Sequence, residues 1–154
     1  MAYRSVFSAR MIAAPADRIW PLLVDPRPLA SAGEHPVTVE LPEGFLGVEG
    51  DQWVEVHGPE CDDDRVPCRV LVATPFDLLR VSSKQRGIRQ TIEHRLTSHG
   101  DHTFVEETIT FAPTFAGRPL QHLMPWCLLV TGLLAWVARG MSDTLDLIEA
   151  AVAE

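Results

Sequence analysis

The chain has 154 residues, enough for one domain that buries a core and keeps a ligand-sized cavity, and too few to suggest a second. Hydrophobic residues at 46% and charged residues at 22% exclude a disordered or fibrous protein. A net charge of -8, from 13 Lys plus Arg against 21 Asp plus Glu, leaves too few cations for the basic groove that a nucleic acid requires.

In chain order, Tyr3 to Ile12 reads as a strand. Ala14-Pro15 then opens a short helix with Pro at its first position, where a missing N–H costs nothing, and Ile19, Trp20, Leu22 and Leu23 give it an apolar face. Pro21 shortens or kinks it, and Asp25-Pro26-Arg27-Pro28 stops it. From residue 36 onward the pattern changes to period-two segments divided by Gly, Pro and Asp. These predict antiparallel strands near 37–42, 51–58, 66–73, 78–84, 88–98 and 102–112. From about Pro119 to Glu154 no strand signal remains, so this stretch reads as one long helix with candidate breaks at Pro125 and Gly140. Met141, Leu145, Ile148 and Val152 share one of its faces, as a helix packed on a sheet requires.

Cys61, Cys68 and Cys127 are odd in number and show no CxxC spacing, so neither a zinc site nor a disulfide framework is suggested. Together with the lack of an export signal in MAYRSVFSAR, they predict a reducing, cytoplasmic setting. Asp62-Asp63-Asp64 lacks the Gly and Glu spacing of a calcium loop and reads as a solvated turn, so no metal is expected.

The stretch TIEHRLTSHGDHTFVEETITF, Thr91 to Phe111, carries the chemistry. Gly100-Asp101 offers a two-residue hairpin turn, and this sets Leu96 against Val105, His94 against Glu107 and Ile92 against Ile109 on one face. Arg95 with Glu106 and Thr91 with Thr110 fall on the other face, the former as an ion pair. A shift of one residue would mix the two sets, so the hydrophobic pattern selects this register. His94 and Glu107 are thereby predicted to be core-facing neighbours with Cβ atoms roughly 4.5–5.5 Å apart. A carboxylate there holds the imidazole in one tautomer, raises its pKa and strengthens it as a base. Alternatively the two polar groups simply satisfy one another.

The order of elements, the opening MIAAPADRIWPLLVDP and the hairpin IEHRLTSHGDHTFVEETITF resemble the START-like (SRPBCC) superfamily, within it the polyketide cyclase/dehydrase and lipid-transport branch. The resemblance implies an α+β helix-grip fold: a curved antiparallel sheet of about seven strands wrapped around a long C-terminal helix and enclosing a pocket for a hydrophobic small molecule. It supplies no universal catalytic motif, so only inward-facing polar residues can define chemistry.

His94 is therefore the candidate base or acid and Glu107 the group that orients it, with Gln90, Ile92, Ile109 and Phe111 lining the same face. On the strand near 51–58, Trp53, Glu55 and His57 point one way and Gln52, Val54 and Val56 the other. Inward facing makes Trp53 a wall and Glu55 an additional acid or base, while outward facing, favoured for Glu55 and His57, puts them in water. Val66, Cys68, Val70 and Val72 should line the interior, Cys68 as a small hydrophobe. The segment LMPWCLLVTGLLAWVA, residues 123–138 with Trp126, is apolar around its circumference. That suits a second pocket wall, a homodimer surface, or a face that docks a membrane or protein. These readings converge on a cofactor-independent cyclase or dehydratase of secondary metabolism acting on a polyketide-like substrate. The alternative is a lipid or isoprenoid carrier that does no chemistry.

Overall fold

The computed structural model describes residues 4–32, 37–58, 65–85, 87–114 and 133–153. Strands β1 (Arg4–Ile12), β2 (Thr38–Glu40), β3 (Gln52–Val56), β4 (Arg65–Thr74), β5 (Leu78–Gln85), β6 (Ile88–His99) and β7 (His102–Pro113) form one curved antiparallel sheet in the order β1-β7-β6-β5-β4-β3-β2. Helices α1 (Ala16–Val24) and α2 (Pro26–Ala32) follow β1, and α3 (Leu133–Ala153) is the C-terminal helix. Strand bounds match the alternation of the sequence to within a few residues at each end.

Alternation also decides what is buried. On α3, Met141, Leu145, Ile148 and Val152 recur at helical spacing and are at most 6% exposed. Leu145, Ile148 and Val152 join Ile19 and Leu23 of α1 and Leu79, Leu96 and Val105 of the sheet in one apolar cluster. Each such side chain contributes about 1.5–3 kcal/mol by leaving water. Met141 instead packs on Ile109 and Phe111 in a second cluster, with Val6, Ile88 and Ile92 against it. Arg10 of β1 pairs with Asp146 and Glu149 of α3 and anchors the helix over that edge of the sheet. Thr103 donates its hydroxyl to the Ala14 carbonyl at 2.8 Å, tying the start of β7 to the turn before α1.

Three sequence expectations need correction. Pro15 is the N-cap of α1, with extended backbone, and the helix proper starts at Ala16. Asp25-Pro26 ends α1 but also starts α2. The Asp25 carboxylate accepts the Arg27 N–H at 3.0 Å, and Pro26 takes the first position, where its missing N–H is harmless. In β4 the pairing shifts between Val70 and Val72, so Val72 lies opposite Arg80 and turns outward, while Ala73 takes the inner place opposite Leu79. Positions 115–132, 59–64 and the side chains of 133–138 are outside the described residues. The readings of Trp126, of the Asp62–Asp64 turn and of the apolar helical segment therefore stay as sequence expectations.

Candidate functional site

The β6–β7 register is the one that the hydrophobic pattern selects: Ile92 opposes Ile109, His94 opposes Glu107 and Leu96 opposes Val105. Ser8 of β1 extends the same row beyond Glu107, and Leu79 of β5 extends it beyond His94. On one side of the pair lies the cluster of Leu96, Val105 and Leu145, and on the other the cluster of Ile109, Phe111 and Met141. The pair thus sits between two apolar clusters on the inner face. His94 is 8% exposed and Glu107 3%.

The geometry departs from a hydrogen-bonded His–carboxylate pair. His94 Nε2 and Glu107 Oε1 are 3.7 Å apart, beyond hydrogen-bond reach. His94 Nδ1 and Nε2 and Glu107 Oε2 make no hydrogen bond among the described residues. Burial sets the charges: it pushes His94 down to about 4 and Glu107 up to about 8. At neutral pH the pair is an uncharged imidazole beside a protonated carboxyl. The expectation that a carboxylate raises the His94 pKa is overturned, because withdrawal from water outweighs mutual attraction. Of the two, Glu107 holds the proton at neutrality and His94 is the group able to accept one.

Gln90 lies on the same face between Phe111 and Ser83, half-buried, and Ile92 packs against the Met141 cluster. On β3, Trp53 is 7% exposed and lies opposite the buried Cys68, and Glu55 lies opposite the buried Val66, so these two face in, against the facing favoured for Glu55, while His57 follows the strand and is half-buried. The ring of Phe45 meets Trp53 edge-on at 5.8 Å, and Trp53 donates its indole N–H to Glu55 at 3.2 Å. Gly47, at φ 71, lets this loop press on α1, since a Cβ there would lie 2.8 Å from Val24 Cβ. Val66, Cys68 and Val70 are buried as expected. The Cys68 thiol is pushed strongly up, first by burial and then by Glu55, so it is no nucleophile.

The Trp53–Glu55 group and the His94–Glu107 pair share a face without meeting. Trp53 aligns with Cys68, Ser83, Gln90 and Phe111, and that row is four residues, or about 13 Å, along β6 from His94. Sequence reasoning missed Ser8, whose alternation with Val6 was the available signal. Among the described residues no cluster of His, Cys, Asp and Glu could hold a metal ion, and no helix is long and apolar enough to cross a membrane.

No protein-family model matches the sequence, and neither does any functionally curated protein. Solved structures do. CalU16 from Micromonospora echinospora aligns with a TM-score of 0.62 at 19% identity, over 97% of this chain and 76% of that one. Ara h 8.0201 aligns at 0.69 with 12% identity over 99% of both chains. TTHA0849 from Thermus thermophilus gives 0.67 with 18% identity over 97% of both. At these identities the likeness shows the fold, a helix-grip arrangement of curved antiparallel sheet and C-terminal helix.

Proposed function

We propose that the concave face binds a hydrophobic, polyketide-like molecule in the cytoplasm and that Glu107 and His94 promote its dehydration or cyclisation without a cofactor. The observation that carries this reading is a buried imidazole–carboxyl pair with three polar atoms that find no hydrogen-bond partner among the described residues, set between two apolar clusters. Leaving such a group unpaired costs about 1–3 kcal/mol, a penalty that folding does not require and a ligand carbonyl or hydroxyl would offset. For a β-hydroxy ketone, Glu107 protonates the departing hydroxyl, which leaves as water, while His94 takes the proton from the adjacent carbon. Proton return from His94 to Glu107 then resets the pair. Ile92, Ile109 and Phe111 hold the chain of the substrate in a reactive conformer.

Turnover of β-hydroxy ketone and poly-β-ketone thioesters by the wild type, Glu107→Gln and His94→Phe tests this. Each variant is expected to lose about 10²–10⁴-fold in kcat while binding of an aromatic product analogue stays within a few-fold. In the wild type, kcat/KM falls below about 4, where His94 becomes charged, and above about 8, where Glu107 loses its proton. Unchanged turnover in both variants sinks the assignment. Copurified lipid with no turnover favours the carrier.

A further inference from the structure

The convex face of the sheet carries described cations of two kinds. Arg65 pairs with Glu40, Arg80 pairs with Glu93, and Arg95 reaches Glu93 at 3.4 Å. Arg69, Lys84 and Arg89 have no acidic partner among the described residues, although the chain holds 21 acids against 13 Lys and Arg. These three border one groove of about 340 Å³, together with Pro67, Leu71, Ser82 and Ser83. Their placement is unfavourable for folding. Lys84 is directly opposite Arg89 across β5 and β6, and like charges so placed repel. Arg69 is opposite Ser82, one diagonal from Lys84. All three are exposed.

We propose that this groove is a binding site for a phosphate group. Three cations lining one groove, with the Ser82 hydroxyl, match a dianion with several acceptor oxygens better than they match a single carboxylate, and the two arginines can each grip it with paired N–H donors. The groove is on the face opposite the His94–Glu107 pair, so the site is independent of the acid–base chemistry. Three cations balance no more than one or two phosphates, and the surrounding acidic chain repels an extended polyanion. The phosphate comes either from a soluble phosphorylated molecule or from a lipid headgroup.

Two measurements on the whole chain test the site. Inorganic phosphate and inorganic pyrophosphate should raise the melting temperature of the wild type, and Arg69→Ala or Lys84→Gln/Arg89→Gln should weaken binding by about tenfold or more. Arg95→Ala, on the same face with an acid beside it, should bind like wild type. Without phosphate, the Lys84→Gln/Arg89→Gln variant should melt at or above the wild type, which separates a lost site from a lost fold. Phosphatidylcholine vesicles containing phosphatidic acid, sedimented with each protein, distinguish the sources. Cosedimentation abolished by the double variant assigns a lipid headgroup. Binding of the inorganic anions alone assigns a soluble phosphorylated ligand. No binding of either, or binding that the substitutions leave unchanged, overturns the site.

Discussion

Glu93 and Glu107 stand on adjacent strands of one hairpin, each with a basic side chain beside it, yet on different faces of the sheet. Glu93 looks outward. It accepts Arg80 Nε at 2.8 Å and is joined by Arg95, with water within reach of all three. Glu107 looks inward, where α3 and α1 close over the sheet, and its neighbour is an imidazole rather than a guanidinium. The guanidinium cannot give up its charge and so stays a cation beside the carboxylate. The imidazole can, and in a dry setting both groups become neutral. The face of the strand decides whether a carboxylate sits in an ion pair or is buried beside a neutral partner.

The sharpest way to break this contrast is to remove both pairs in turn. Replacing His94 and Glu107 together by Phe and Leu removes the unsatisfied atoms and should stabilise the protein by about 1–4 kcal/mol while ending turnover. Urea unfolding at neutral pH measures it, and a less stable double variant would mean that the pair serves the fold. The second effect is on pH dependence. Glu107 keeps its proton in the folded state up to about 8 but loses it near 4.5 when unfolded, so it makes stability fall as pH rises across that span. His94 acts oppositely, gaining stability from about 4 to 6.5. The two slopes cancel between 4.5 and 6.5. From 6.5 to 8 Glu107 acts alone, and stability should fall by about 1.4 kcal/mol per pH unit, a fall that Glu107→Gln removes. The smallest effect belongs to the outer pair: Glu93→Gln should cost about 1 kcal/mol or less and fade in high salt. A larger loss there would show that the two faces are less different than their geometry says.

The hairpin was legible because both strands alternate cleanly and a Gly-containing turn fixes their offset. The inward meeting of His94 and Glu107 needed nothing more. Their protonation was not legible, since it depends on how tightly α1 and α3 exclude water, and no local pattern encodes that. On β3 the facing was ambiguous because Val54 and Val56 are as apolar as Trp53. What settles it is Phe45, from a loop, packing on the indole. The outward turn of Val72 follows from a register shift in β4 that alternation cannot announce. In α2 the signal was present but read one way only, for Asp-Pro both ends one helix and caps the next. Likewise Arg95 faces Glu106 in register as expected, but its ion pair is with Glu93 of its own strand.

One further consequence lies in the two bare ring nitrogens of His94. In most enzymes a neighbour donates to or accepts from the imidazole and so dictates which nitrogen carries the hydrogen. Here, among the described residues, nothing does, and under the proposed function the ligand itself would choose. A ligand presenting a carbonyl recruits the donor form, and one presenting an acidic C–H or hydroxyl recruits the acceptor. Under that function the site would be a generalist whose selectivity is held by the apolar walls. Substitutions at Ile92, Ile109 or Phe111 would then redirect it to new molecules while its reactive centre stays unaltered.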